Sequence, residues 1–291
     1  MTVACILYYA ILIYMKLAIL MSAYNGADYL EEQVRSILSQ TYNDFTLYIR
    51  DDGSSDGTVA LVGRLAAADS RIRPITHGGN LGAKESFMWL LRNVDADYYM
   101  FCDHDDVWLP RKVELTLRRM REGERQCSGP VIACTNLKLV DAGLNVYAES
   151  YWRYRHYRMS FFNDRYYHLF YNNMPGCTMM LNQKAKEVCF PYSPDIVMHD
   201  AWFVIATLWN GGLVVAEPEP LMLYRQHEHN VVGARGQRTL WQQLGMVGRL
   251  MRRTHTQYLS TRRLTGMWYP CFVARKVYYM LDEHIAKLIG R

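Results

Sequence analysis

The sequence predicts an α/β protein: a mostly parallel sheet flanked by helices, with a helical appendage at the C-terminal end. Three observations predict it. Short apolar runs alternate with helical-period segments from residue 17 to residue 102, the pattern of strands joined by crossover helices. Polar, acid-rich loops follow several of those runs, and an open α/β sheet places its ligand at the carboxyl ends of its strands. After Gly236 the composition turns basic, with apolar residues at helical spacing.

The elements follow in order. Leu17–Ala23 is apolar and ends in the turn signal Tyr24-Asn25-Gly26, which reads as a buried strand. Leu30, Val34, Ile37 and Leu38 then repeat at helical spacing, with Asp28 placed to cap and Glu31 and Glu32 in the first turn. Phe45–Arg50 alternates as a second strand and opens into Asp51-Asp52-Gly53-Ser54-Ser55-Asp56-Gly57-Thr58 before a helix near Val59–Ala68. Ile72–Thr76 is a strand, His77–Gly82 a glycine-rich loop and Ala83–Asn93 a helix. Tyr98–Cys102 is a strand that runs into Asp103-His104-Asp105-Asp106. Residues 131–140, Met179–Leu181 and Gly212–Ala216 read as strands, and Asp200–Trp209 as a helix. Between them, residues 147–171 hold 11 aromatic residues interleaved with Arg153, Arg155, Arg158 and Arg165. Beyond Gly236, Leu240, Leu244, Val247 and Met251 form one stripe and Val273, Val277, Leu281, Ile285 and Leu288 a second.

The chain has 291 residues, half of them hydrophobic and 21% charged, which excludes a disordered or collagen-like protein. The formal charge of +5 is unevenly spread: residues 235–291 carry +9 and the first 234 carry −4. That split predicts three parts: an apolar extension over 1–14, a catalytic body over 15–234 and a basic amphipathic tail over 235–291. Residues 1–14 lack a basic n-region and a small-residue cleavage site. They also fall short of the ~20 apolar residues that span a bilayer, so the natural start is expected at Met15. The seven cysteines are odd in number and show no C-x-x-C pair, which argues against a disulfide framework or structural zinc and fits a cytoplasmic protein.

Three acid clusters follow strand signals: Asp51/Asp52, Asp103/Asp105/Asp106 and Asp200. One carboxylate at a strand end is commonly a turn residue; three along one α/β domain point to a shared site. Asp103 and Asp105 can converge on a hard divalent cation, Mg²⁺ or Mn²⁺, of the kind that also binds substrate phosphates. There is no Walker lysine motif and no G-x-G-x-x-G after the first strand, so neither a P-loop nor a dinucleotide fold is predicted.

Seven segments, KLAILMSAYNG, IRDDGSSDGT, HGGNLGAKESF, FCDHDDVWLPRKVE, NMPGCTMML, MHDAWF and EPLMLYRQHEHNVVG, occur in this order over residues 16–234. Together they resemble the family 2 glycosyltransferases of the GT-A fold, in the bacterial rhamnosyltransferase-like group of cell-surface polysaccharide synthesis. The resemblance implies that Ala23, Tyr24, Asn25 and Asp51 or Asp52 meet the base and ribose of a nucleotide. A carboxylate there, Asp52 by preference, accepts the N3–H of a pyrimidine. It implies that Asn80, Gly82 and Lys84 approach the nucleotide or diphosphate, and that Asp103 and Asp105 form the D-x-D motif, with Asp103 near the ribose and Asp105 on the metal. His227 is implied as a further metal ligand, with His229 as its alternative, and Gly176 and Cys177 as the turn beneath the donor sugar. Asp200 is implied as the catalytic base.

Two positions depart from the group's pattern: His104 stands where Gln is usual, and His199 where many relatives have Glu. The implied reaction is an inverting transfer of a sugar from dTDP-rhamnose or a UDP-hexose to a saccharide or lipid-linked saccharide, aided by a divalent metal. Trp108, Tyr151, Trp152, His199 and Trp202 are the acceptor-side candidates, and the basic tail offers peripheral contact with the inner face of the membrane. A sugar-nucleotide pyrophosphorylase would need a glycine-rich N-terminal signature with a basic residue, which is missing. A nucleic-acid-binding protein using the tail would leave the acid clusters unexplained, so no nucleic-acid partner is expected.

Overall fold

A computed structural model describes residues 15–76, 78–227 and 247–288. The expectations on residues 1–14, Leu240, Leu244 and His229 lie outside the described residues, as do the side chains of Val247, Ile285 and Leu288. The first half alternates as expected: β1 (Leu17–Ala23), α1 (Leu30–Leu38), β2 (Thr46–Asp51), α2 (Thr58–Ala68), β3 (Ile72–Ile75), α3 (Ala83–Asn93) and β4 (Tyr98–Asp103). All seven residues of β1 are buried, as an apolar run covered on both faces of a parallel sheet must be. Asp28 does not cap α1: the N-cap is Tyr29 with no side-chain bond, because the chain has already turned on the Gly26 carbonyl, which accepts from Tyr29 and Leu30 N–H.

The second half contains β5 (Val107–Trp108), α4 (Lys112–Gln126), β6 (Val131–Val140), β7 (Val146–Ala148), α5 (Tyr151–Tyr154), β8 (Met179–Asn182), α6 (Gln183–Val188), α7 (His199–Trp209) and β9 (Leu213–Arg225). The sheet order is β3-β2-β1-β4-β8-β6-β9-β5, with β7 paired to β6. The mostly parallel expectation holds from β3 to β4; beyond it the sheet is mixed, because β8 lies antiparallel to both β4 and β6, while β6 and β9 are parallel. Strand β9 runs well past the expected residue 216. Pro218 and Pro220 lack the ladder N–H and mark a register shift opposite Asn136, whose Nδ2 donates to the Pro218 carbonyl at 3.2 Å.

The appendage is a hairpin of α8 (Val247–Thr265) and α9 (Tyr269–Leu288), and among the described residues no helix is long and apolar enough to cross a membrane. Its packing corrects the expected stripes. Met251, Val277 and Leu281 face solvent, while Thr254, Gln257, Thr261, Phe272, Lys276 and Tyr279 are buried. The aromatic stretch is the glue between hairpin and body: Phe161, Tyr167 and Tyr171 stack in series at 4.7 Å. Phe170 meets Phe272 edge-on at 4.8 Å, and the Tyr279 hydroxyl donates to Asp164 at 2.6 Å.

His168 sits inside this layer with its Nε2 donating to the Phe162 carbonyl at 3.0 Å, and burial pushes its imidazole down to about 4. The unfolded chain takes up that proton near ~6.5, whereas the fold refuses it until about 4. Stability contributed by the neutral ring is therefore complete above the unfolded value and falls as pH drops through the window. The slope is about 1.4 kcal/mol per pH unit. Urea titrations of His168→Gln should show a pH slope lower than wild type by about one proton in this window.

Candidate active site

The carboxyl ends of β1 and β2 are stitched together by side chains. Asn25, in the left-handed region at φ 47°, accepts from Ser55 N–H at 2.8 Å, and its own N–H donates to Ser54 Oγ at 2.9 Å. Gly26 N–H donates to Thr58 Oγ1 at 2.9 Å. A Cβ at Gly26 would stand 2.3 Å from the His104 ring, so His104 is a packing residue that clamps this loop. Ala23 is buried beneath it and Tyr24 is half exposed above.

Asp51 and Asp52 have separate partners. Asp51 Oδ2 accepts from Gly53 and Ser54 N–H, both at 3.0 Å, and its buried Oδ1 has no partner among the described residues. Asp52 pairs with the fully buried Arg50 and accepts from Leu81 and Gly82 N–H, both at 2.8 Å. Arg50 also donates to Ser86 Oγ at 2.8 Å and the Gly79 carbonyl at 3.0 Å, so this pair ties the β2 loop to the loop before α3. Asn80 Oδ1 accepts from Gly82 N–H at 3.1 Å, and Gly82 adopts φ 77°, where a side chain is strained. Lys84 is a correction. Its ammonium is held by the Pro194 and Ile196 carbonyls at 3.0 and 3.3 Å and by Glu85 at 3.2 Å. It fixes the segment leading to Asp200 rather than standing free for a phosphate.

At the end of β4 the carboxylates crowd. Asp103 accepts from the Cys177 thiol, and burial, followed by Asp105 and Asp200, raises its carboxyl to about 7. Asp105 Oδ2 and His227 Nε2 lie 2.9 Å apart. Asp106 is fully buried; its Oδ1 accepts from Arg225 N–H at 3.1 Å, its Oδ2 has no partner among the described residues, and burial pushes its carboxyl well up. Arg225 braces the loop. Its Nε donates to the Asp105 carbonyl at 2.8 Å, its guanidinium pairs with Glu32 at 2.5 Å, and it lies 4.7 Å over the Tyr29 ring. Tyr29 in turn stacks on His227 at 5.0 Å. Asp103, Asp106 and Cys177 also cluster closely enough to hold an ion. Burial, followed by the charges of Asp106 and Asp103, pushes the Cys177 thiol well up.

The antiparallel β8 brings its leading turn, Gly176-Cys177-Thr178, beside Asp103. A Cβ at Gly176 would lie 2.8 Å from His199 Nε2 and 3.5 Å from Asp200 Cβ, so the glycine allows α7 to approach. Asp200, in the first turn of α7, accepts at Oδ1 from Asn172 Nδ2 at 2.8 Å and Ala201 N–H at 2.7 Å. Its Oδ2 has no hydrogen-bond partner among the described residues, and the helix N-terminus favours its negative charge.

Three acceptor-side expectations are corrected by packing. Trp108 is buried under the Lys112 ammonium, Trp152 meets Phe162 edge-on, and His199 is enclosed by Phe87, Phe101 and Phe203, its burial lowering its proton affinity. Tyr151 stays in the electrostatic neighbourhood of Asp200 and Cys177. Trp202 borders a narrow cleft of about 60 Å³ with Asn172, Met198, Arg253 and Thr261. A larger hollow of about 270 Å³, lined by Tyr42, Glu114, Arg118 and Arg121, lies against α4 and contains none of these acids. Sequence reasoning placed Asp106 in an acid cluster without giving it a role, and it missed Arg50, Asn172 and Arg225. Arg225 had a signal, since it stands two residues before His227 in the same segment.

Acid-bearing loops at the ends of parallel strands, facing a carboxylate on a helix N-terminus across an antiparallel strand, define a glycosyltransferase of the GT-A fold. The chain belongs to Glycosyl transferase family 2, which it matches over residues 18–189. It is 30% identical over 235 residues, 74% of each chain, to the dTDP-rhamnosyl transferase RfbG of Shigella flexneri. It is 33% identical over 103 residues, 35% of this chain and 40% of the relative, to the UDP-Glc:alpha-D-GlcNAc-diphosphoundecaprenol beta-1,3-glucosyltransferase WfgD of Escherichia coli. Among solved structures it resembles S. aureus TarS in complex with UDP-GlcNAc, with TM-score 0.56 and 14% identity over 77% of this chain and 62% of that one. It also resembles the mannosyltransferase PcManGT of Pyrobaculum calidifontis in complex with GDP-Man and Mn²⁺, with TM-score 0.55 and 18% identity over 85% and 64% of the two chains. Family membership sets aside the pyrophosphorylase and nucleic-acid readings.

The Arg50–Asp52 pair is testable without any substrate. Arg50→Met strands a buried carboxylate and should cost about 3–5 kcal/mol in denaturant unfolding. Arg50→Met/Asp52→Asn should recover part of that loss, because the neutral amide oxygen can still accept from Leu81 N–H.

Proposed function

We propose that this enzyme moves a sugar, rhamnose by preference, from a nucleoside-diphosphate donor to a hydroxyl of a saccharide or lipid-linked saccharide at the inner face of the membrane. The observation that carries the reading is Asp200. Its carboxylate is oriented through Oδ1 by Asn172 and its own helix, leaving Oδ2 free to take a proton, and it stands in the field of Asp103. Similarity to a dTDP-rhamnosyl transferase over three quarters of the chain supports rhamnose.

The base and ribose meet Ala23, Tyr24, Asn25 and the Asp51–Asp52 loop, with Asn80 and Gly82 alongside. Asp52 is the preferred partner of a pyrimidine N3–H, since its Oδ2 accepts from Gly82 N–H and has further acceptor capacity. Asp103 reaches the ribose, and Gly176 and Cys177 form the turn beneath the sugar. Asp105 and His227 fit a divalent cation: a carboxylate oxygen and an imidazole nitrogen converge at 2.9 Å, a donor set that suits Mn²⁺ more than Mg²⁺. When bound, such an ion neutralises charge developing on the departing diphosphate. Tyr151 and Trp202 flank the acceptor.

The transfer is a single displacement with inversion. The acceptor oxygen forms its bond to the anomeric carbon as the bond from that carbon to the diphosphate oxygen breaks. The acceptor proton passes to Asp200 Oδ2, and the nucleoside diphosphate leaves with the bonding pair. No covalent enzyme intermediate is required.

The test is a panel of sugar nucleotides with Mn²⁺, read by nucleoside diphosphate release and by thermal stabilisation. dTDP-rhamnose should be preferred, and stabilisation by no member of the panel would overturn the donor assignment. Asp200→Asn should lower turnover by ~10²–10⁴-fold with donor affinity unchanged; near wild-type turnover would remove Asp200 from the mechanism. Asp105→Ala should lose turnover together with its dependence on added Mn²⁺, as measured by metal titration.

A further inference from the structure

Among the described residues, helix α9 buries one face and exposes an apolar one. Its inward residues are Phe272, Lys276 and Tyr279, and the Lys276 ammonium is satisfied by Thr254 Oγ1 and Gln257 Oε1, both at 2.8 Å. At 100° per residue, Pro270, Ala274, Val277, Tyr278 and Leu281 fall on the opposite arc. All five are exposed, Val277, Tyr278 and Leu281 by 49%, 59% and 57%, and no charged residue interrupts the arc. Trp268, in the turn between the two helices, is 72% exposed. An amphipathic helix ordinarily turns its apolar stripe to the core. Here the core takes rings and an ammonium, and the stripe faces outward as an apolar surface that calls for a partner.

Charge selects the partner. Residues 235–291 carry 11 basic and 2 acidic residues. Arg252, Arg253, Arg262 and Arg263 on α8 are exposed and make no ion pair among the described residues. The two acids are turned to the body: Asp282 pairs with Arg158, and Glu283 accepts from the Tyr167 hydroxyl at 3.3 Å. Among the described residues, no acid on the outward arc offsets the arginines. A second copy of the hairpin would bring like charges together, whereas an anionic bilayer supplies both an apolar layer and phosphates.

We propose that the α8–α9 hairpin docks the enzyme on an anionic lipid bilayer. The outward arc of α9 and Trp268 enter the boundary between headgroups and acyl chains, and the α8 arginines meet the lipid phosphates. This deepens the reading of a lipid-linked acceptor, but binding to lipid does not require the transfer reaction and is measured without it.

The experiment is co-sedimentation of the full chain with vesicles of phosphatidylcholine alone and of phosphatidylcholine mixed with phosphatidylglycerol. The full chain should sediment with the mixed vesicles, and high salt should weaken the association. Val277→Glu/Leu281→Glu should lose at least about tenfold in affinity through the lost apolar insertion. Arg252→Glu/Arg263→Glu should lose affinity for the mixed vesicles and with it most of the salt dependence. Both variants should keep donor-dependent thermal stabilisation, which separates a failure of docking from a failure of the glycosyltransferase assignment. Equal sedimentation with both vesicle types, or with neither, overturns the proposal. So does a wild-type dimer in light scattering that Val277→Glu/Leu281→Glu converts to monomer, which would make the arc an interface between copies.

Discussion

A carboxylate withdrawn from water must be given donors or a cation, and much of this fold is arranged around that requirement. Asp52, Asp106 and Asp200 are buried, and each is served by residues remote in the chain: Asp52 by the loop before α3, Asp106 by Arg225 and Asp200 by Asn172. Burial raises the carboxyls of Asp103 and Asp106, and the neighbouring Asp105 charge raises both further. The protein answers with fixed donors from several elements, so the acids are held in place before any substrate arrives. Preorganised charge of this kind costs no reorganisation at the moment of reaction.

Sheet topology makes the gathering possible. Strands β1, β2 and β4 run parallel and deliver three loops to one edge. The antiparallel β8 then brings the Gly176 turn to that edge from the opposite direction, and α7 follows with Asp200. Strand β9 returns parallel to β6 and ends at Arg225, two residues before His227, so one strand both braces the acid loop and supplies its imidazole. The Arg225–Tyr29–His227 stack couples this end of β9 to α1, and it keeps the loop braced from a second element.

Legibility in the sequence followed periodicity. The elements of the parallel half were readable to within a residue or two, because apolar runs and helical spacing report burial directly. The acid clusters were readable because carboxylates at strand ends stand out against turn chemistry. The mixed second half was harder: Pro218 and Pro220 hid the length of β9, and no local signal says that a four-residue strand will insert antiparallel between two others. The aromatics between 147 and 171 looked like sugar-stacking faces, yet most pack against one another and against α9, since a flat apolar ring serves a helix interface as well as a ligand.

By itself the sequence determined the α/β class, the alternation of strands and helices up to β4, the acid clusters and the basic character of the tail. These follow from local composition and spacing. Only the tertiary structure decided which acid answers to which donor, that Lys84 and Trp108 are engaged in packing and bonding, and that the apolar stripe of α9 faces outward. Each of those depends on partners scores of residues away, and pairing across such distances is set by sheet order and helix packing rather than by any local pattern.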